Sequence, residues 1–169
     1  MMIHDLNKAT AADMDLDLIE RKLWNIRRFQ GHPDALMVRA HTHLVRALAV
    51  RGNASGPVIE WCFYHDDHEA LIGDINGTVV WKIDGETPVL SDLSAHIDHI
   101  ICEARGINYP TQGDRREVHF YDKLAESLET RFGLGWPPYK NHPEWPAWLD
   151  DDRARTLFMS YATLENPHL

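Results

Sequence analysis

The chain has 169 residues, a length that suits one domain, and its 17 Lys plus Arg against 26 Asp plus Glu give a formal charge of −9. That balance excludes a surface built to coat nucleic acid, because phosphate-backbone binding runs on Lys and Arg displacing counterions. A small anionic substrate stays open, since one bound metal ion reverses the local field.

Leu16, Ile19, Leu23 and Ile26 recur at steps of three and four, the period of one helix face, and Gly31 with Pro33 ends that segment. Leu36, Ala40, His43, Ala47 and Val50 repeat the rhythm up to a stop at Gly52. Pro57 opens a third helix that carries Ile59, Cys62, Phe63 and Ile72 and ends near Gly73. Residues 78–82 are β-branched and aromatic and read as a short strand or extended turn. Leu93, Ile97, Ile101 and Ala104 form a fourth helix stopped by Gly106; Val118, Tyr121, Ala125, Leu128 and Phe132 form a fifth stopped by Gly133 and Gly135. Asp150 caps a last helix through Leu157, Phe158 and Tyr161. Before it, Trp136-Pro137-Pro138-Tyr139, Pro143, Trp145, Pro146 and Trp148 are too rich in proline for a helix and too aromatic for a flexible linker. This segment is expected to pack on the body or on a neighbouring subunit, or else to line a pocket mouth.

The pattern predicts an all-α protein of one domain over residues 1–169, with a core from about 16 to 133 and an appendix from 136 to 169. No apolar run approaches the roughly 20 residues that span a bilayer, so no membrane is expected. Residues 1–10 lack a secretory signal's charged start and apolar core. Cys62 and Cys102, without CxxC spacing, argue against a disulfide framework and a cysteine zinc site.

The most polar interruption of an apolar helix is Tyr64-His65-Asp66-Asp67-His68-Glu69-Ala70. A buried His-Asp pair needs a partner or a metal, because an unpaired buried carboxylate costs several kcal/mol. Adjacent helical residues point about 100° apart, so His65 and Asp66 can approach one ion from two sides, while Glu69 follows His65 one turn later on the same face. His43 stands on the core-facing stripe of its segment, either as a ligand or as a satisfied core histidine; His41 falls off that stripe, toward solvent. Val118, Asp122, Ala125 and Glu129 share one face of the fifth helix, where Asp122 is either a ligand or an arginine partner. Together His43, His65, Asp66 and Asp122 predict a metal centre held by three helices. Imidazole with carboxylate suits one divalent transition metal, Mn, Fe, Co, Ni or Zn, rather than Ca. Such a centre suits hydrolysis of a phosphoryl group.

The order His43, His65-Asp66, Asp122 resembles the H…HD…D signature of the HD-domain metal-dependent phosphohydrolases. The likeness is greatest to the small nucleotide-directed branch of bacterial 5′-deoxynucleotidases and phage dATP triphosphohydrolases. Arg28-Phe29-Gln30-Gly31-His32 resembles that branch's Arg-Phe-x-Gly-His, and His65 to Ile75 resembles its HD-x-x-E-A-x-x-G-D-I. Val118 to Asp122 followed by Glu129-Thr130-Arg131 resembles its final Asp helix with a Glu seven residues on. Where the branch has Gln-His-Ser, this chain has Ala40-His41-Thr42, which leaves His41 as the alternative ligand.

The resemblance implies a single HD-type helical domain with metal ligation by His43, His65, Asp66 and Asp122. It implies Glu69 and Asp74 as catalytic groups, Arg28 and His32 as phosphate contacts, and Phe29 or Trp24 against base or sugar. Lys82, displaced from where the branch carries its lysine, is a further anion-site candidate. The activity implied is hydrolysis of deoxynucleotides at the 5′ α-phosphorus, first of all of dATP to deoxynucleoside and triphosphate, with additional Mg or Mn on the substrate phosphates. The alternatives are a 5′-deoxynucleotidase acting on monophosphates, an all-α nucleotide pyrophosphatase, and a non-enzymatic helical interaction protein. The expected partner is a small nucleotide rather than polymeric nucleic acid. The expected state is a homo-oligomer in the cytoplasm, the host's if the protein is phage-encoded.

Overall fold

The Asp15 carboxylate accepts the Leu18 N–H at 2.9 Å and caps helix α1 (Leu16–Leu23), whose Ile19 and Leu23 are buried. The computed structural model describes residues 5–75, 77–85, 87–137, 142–164 and 166–167. Short turns at Leu6–Lys8 and Ala11–Asp13 precede α1. The other helices are α2 (Val38–Arg51), α3 (Gly56–Tyr64), the single turn α4 (Glu69–Ile72), α5 (Gly77–Asp84), α6 (Val89–Arg105), α7 (Gln112–Leu128) and α8 (Asp151–Ala162). Among the described residues the fold is all-helical, with no strand. No helix among them is long and apolar enough to cross a membrane.

α2 is the central helix and packs against α3, α7, α8 and α1. Leu44, Leu48, Val58, Cys62, Leu124, Leu128 and Phe158 form the main core between these elements. A second apolar cluster joins α1, α4 and α6 through Ile19, Leu23, Val38, Ala70, Ile97 and Ile101. Cys62 and Cys102 are both free and buried. The C-terminal end of α2 approaches α7 so closely that a Cβ on Gly52 would lie 2.2 Å from Tyr121 Oη. The lack of a side chain at Gly52 permits this contact, while its φ of −76° is open to any residue.

Caps expected from the sequence are formed. Gly106 closes α6 in the left-handed conformation (φ 67°), and the Asp150 carboxylate accepts from Arg153 N–H at 2.9 Å to start α8. Pro57 stands in the first turn of α3. Thr111 and Asp114 make a reciprocal capping box that starts α7 six residues before the first apolar position read from the sequence.

Two elements differ from the sequence reading. The third helix does not run from Pro57 to Gly73: it stops at Tyr64, and tight turns lead into α4, with Asp67 N–H bonded to Tyr64 C=O at 2.9 Å and Glu69 N–H to Asp66 C=O at 3.0 Å. The break turns Asp67 inward between two arginines. Residues 78–82 are helical within α5, packed on α6, rather than extended. A lone strand leaves its backbone groups unpaired, so β-propensity yields to helix where no neighbouring strand exists.

The Trp- and Pro-rich segment packs on the body. Trp145 Nε1–H donates to Ser127 Oγ at 2.9 Å, the Arg131 guanidinium lies 4.8 Å from the Trp145 ring centre, and Leu149 is buried. Pro138 and Tyr139 of that segment lie outside the described residues.

Candidate metal centre

α2, the end of α3 and α7 converge on one point. α2 supplies His41, the turn after α3 supplies His65 and Asp66, and α7 supplies Asp122. His41 Nε2 lies 3.0 Å from Asp122 Oδ1 and 3.7 Å from Asp66 Oδ2; His65 Nε2 lies 3.2 Å from Asp66 Oδ1 and 3.8 Å from Asp122 Oδ1. Ligand atoms of His41, His65 and Asp66 all fall within 4.8 Å of one another. Arg28 faces the same point from a loop closed by Arg28 N–H to Leu36 C=O (3.0 Å) and Val38 N–H to Ile26 C=O (2.9 Å). Arg27 Nη1 braces this loop on the carbonyls of Pro33 and Ala35. Its tip is a left-handed turn in which Phe29, Gln30 and Gly31 have φ of 52°, 57° and 81°. The two non-glycine residues hold a conformation that costs about 1–2 kcal/mol each, a local strain that sets Arg28 at the centre.

The first imidazole of the cluster is His41, not His43. His41 is 0% exposed, against its expected place in solvent. His43 packs among aromatic rings, with centres 4.8 Å from Phe63, 6.0 Å from Trp24 and 6.4 Å from Tyr161, and burial lowers its pKa. The reason is the position of α2. Arg39, Ala40, His41, Thr42, Leu44, Val45 and Leu48 are all buried, so a helix enclosed on several sides has no single core-facing stripe. The sequence signal that did mark His41 is its place in Ala40-His41-Thr42.

His41, His65 and Asp66 could hold a metal ion, with Asp122 beside them. His65 Nδ1–H donates to the Cys62 carbonyl at 3.0 Å, which turns Nε2 toward the centre; this buried atom has no hydrogen-bond partner and faces two carboxylates. Two donors about 2.1 Å from one ion stand about 3.0 Å apart at a right angle and about 3.4 Å apart at a tetrahedral angle. The separations of 3.0, 3.2, 3.7 and 3.8 Å lie around those values. Burial pushes the Asp66 and Asp122 carboxyls up, but the facing imidazoles, joined at Asp66 by Arg28, outweigh it and hold both below the usual carboxylate range. Two carboxylates this close favour positive charge between them, which Arg28 in part supplies.

In the metal-free protein a proton on His41 supplies part of that charge. Burial and Arg28 disfavour the imidazolium, yet Glu129 and Asp122 prevail and push His41 up to about 9. A ligating imidazole must give up this proton. Metal affinity is therefore expected to rise as pH increases toward about 9, with a proton released on uptake below that value. Titration calorimetry in buffers of different ionisation enthalpy checks this; pH-independent uptake without proton release would remove His41 from the ligand set.

Glu69 and Asp74 adjoin the centre. Burial raises the Glu69 carboxyl well above its usual range, the Asp66 charge adds to this, and Glu69 Oε2 is buried without a partner. A crevice of about 480 Å³ lined by Leu18, Arg21, Ile26 and Gly73 reaches Glu69 from the α1 side. Burial also raises Asp74, offset in part by Arg28 and by the backbone N–H of Gln30, which ties Asp74 to the left-handed turn.

The remaining candidates are placed differently. Phe29 and His32 both pack edge-on against Trp136, with centres 5.6 Å apart in each case. Trp24 is a core residue, 5% exposed, and does not present its face to a ligand. Lys82 is exposed on α5, and among the described residues no ion pair or hydrogen bond joins it to the centre.

Sequence reasoning gave no role to two features. Glu129, noted only as part of a pattern, lies 3.0 Å from His41 Nδ1 through Oε1 and 3.2 Å from Arg28 Nε through Oε2. Behind the centre, Asp67 is clamped by Arg39 Nη2 at 2.9 Å and Arg105 Nη2 at 2.7 Å, while Arg39 also reaches Glu20 at 2.6 Å and the Phe63 carbonyl at 2.8 Å. The second Asp of His65-Asp66-Asp67 was the available signal for this network. No protein-family model matches the chain, and no curated protein matches it.

Proposed function

We propose that this protein is an HD-type metal-dependent phosphohydrolase acting on deoxynucleotides at the 5′ α-phosphorus, with dATP the first candidate substrate and deoxynucleoside plus triphosphate the products. The convergence of His41, His65, Asp66 and Asp122 beside a partly buried arginine carries the reading. The choice of dATP rests on the resemblance of the Arg28–His32 and His65–Ile75 segments to the phage-type branch.

His41, His65, Asp66 and Asp122 would hold one divalent transition metal. When bound, such an ion lowers the pKa of a coordinated water and neutralises charge building on a phosphoryl group. Arg28, whose Nη1 lies 3.3 Å from Asp66 Oδ2, presents the guanidinium at the same point for phosphoryl oxygens. Attack of water at the α-phosphorus breaks the bond to O5′, and the proton lost by the water has to reach O5′. Glu69 is suited to carry it. Burial and the Asp66 charge raise its carboxyl above the usual range, which favours its holding a proton, and its buried Oε2 has no competing partner. Asp74 holds the Arg28 turn through the Gln30 N–H.

Glu69→Gln is expected to keep metal affinity and slow hydrolysis roughly 10²–10⁴-fold, the usual weight of a positioned proton-transfer group. An unchanged rate in that variant would take Glu69 out of the proton path. The reading as a whole is tested by incubating the protein with Mn or Co and a panel of deoxynucleoside mono- and triphosphates. Nucleoside plus triphosphate supports it as stated, and nucleoside plus orthophosphate moves it to the 5′-deoxynucleotidase form. Monophosphate plus pyrophosphate, or no turnover, counts against it.

A further inference from the structure

Glu129 is 1% exposed, and the chemistry just described leaves it without a task. It stands where α7 gives way to a wider turn, Glu129–Gly133, in which Leu134 N–H bonds back to the Glu129 carbonyl at 3.0 Å. Seven residues separate it from Asp122, two helical turns along one face. Both carboxylates therefore meet the same imidazole from opposite edges: Asp122 Oδ1 is 3.0 Å from His41 Nε2 and Glu129 Oε1 is 3.0 Å from His41 Nδ1. The second oxygen of Glu129 is 3.2 Å from Arg28 Nε, while Arg28 Nη1 is 3.3 Å from Asp66 Oδ2.

We propose that Glu129 is a positioning residue that fixes two groups of the centre at once, the His41 ring as an Nε2 ligand and the Arg28 guanidinium as a phosphoryl contact. The inference rests on the metal-centre reading above. By accepting the Nδ1 proton of His41, Glu129 selects the tautomer whose lone pair is on Nε2, fixes the ring plane and makes the ring a stronger donor. Through its ion pair with Arg28, Oε2 to Nε at 3.2 Å without a hydrogen bond, it keeps the guanidinium beside Asp66, whose Oδ2 faces Nη1. A buried carboxylate is costly unless its oxygens are paired, and the two oxygens of Glu129 face these two groups. The wider turn at Glu129–Gly133 places it there, in keeping with the tendency of such turns to occur at functional sites.

The test uses the full chain and Co(II) as the probe. Glu129→Gln keeps an amide oxygen for His41 but loses the charge that polarises it and presents N–H groups to Arg28. The expected result is a Co(II) dissociation constant raised about 10–100-fold and a changed Co(II) visible absorption band. The Michaelis constant for the nucleotide should also rise, with the thermal melt still cooperative. A wild-type Co(II) affinity and spectrum in this variant would overturn the proposal. Should Glu129→Gln not fold, the double variant Arg28→Met with Glu129→Gln removes the buried ion pair as a unit. It is expected to fold and still bind Co(II) weakly, and wild-type affinity there would overturn the proposal equally. His65→Ala measured alongside separates the two levels. If it too binds Co(II) like the wild type, the metal-centre reading itself is wrong; if it loses Co(II) while the Glu129 variants match the wild type, only the positioning role falls.

Discussion

Replacing His41 by alanine is expected to abolish uptake of Co(II) or Mn(II) and to reduce hydrolysis to background, whereas His43→Ala keeps both. The two histidines are neighbours on α2, yet their surroundings differ in kind. His41 Nε2 faces Asp122 and Asp66, and its Nδ1 is bonded to Glu129. His43 offers its ring to Phe63, Trp24 and Tyr161. Losing those ring contacts should cost about 0.5–1.5 kcal/mol of stability, in the range measured for aromatic pairs, without touching the metal. Metal titration and product release on the purified variants decide the matter. Retained metal in His41→Ala together with lost metal in His43→Ala would reverse the assignment.

The largest stability effect is expected at Arg39. This arginine is 0% exposed and holds Glu20, Asp67 and the Phe63 carbonyl, with its guanidinium carbon 4.5 Å from the Phe63 ring centre. Arg39→Ala strands the buried Asp67 carboxylate with Arg105 alone and opens space against Phe63. Breaking a buried ion pair from one side costs about 3–5 kcal/mol. For a domain of this size that corresponds to a melting temperature lower by roughly 10 °C. Pairing Arg39→Met with Asp67→Asn removes the charge mismatch and should recover a large part of the loss. A fall of under about 1 kcal/mol in the single variant would show that Arg105 satisfies Asp67 unaided. The consequence reaches the site, because Asp67 adjoins Asp66 and its clamp holds the turn that presents His65 and Asp66.

Sequence periodicity found the helices that bury one face and close with local chemistry. α6 ends at Gly106, α8 starts at Asp150, and the Val118, Asp122, Ala125, Glu129 face of α7 does point inward. His65 with Asp66 stood out because polar residues interrupt an apolar run there, and Asp122 because it shares a helix face with Val118 and Ala125. Four things were not legible, each because a tertiary contact lies outside what local rules describe. His41 was misplaced because α2 is buried on several sides, so its periodicity carries no single direction. The break after Tyr64 depends on Arg39 and Arg105, which lie far from it in sequence and draw Asp67 inward. The helical state of residues 78–82 depends on packing against α6, which outweighs the β-branched composition. Glu129 was visible as a residue but not as a contact, since its partners His41 and Arg28 come from two other parts of the chain.

The close approach of Gly52 to Tyr121 has a meaning for the metal centre that sits some distance away. Tyr121 precedes Asp122, and Gly52 follows His41 on the same helix by eleven residues, about 16 Å along its axis. With 2.2 Å available where a methyl group would go, the backbone of α2 rests directly on the Tyr121 ring. That contact acts as a spacer between the two helices, so the gap that His41 and Asp122 span is gauged by a residue that touches neither. The spacing of the α2 and α7 side chains that meet between His41 and Asp122 thus depends on this seam as well as on those two residues themselves. A larger residue at position 52 would have to displace the Tyr121 ring or part the two helices at that point.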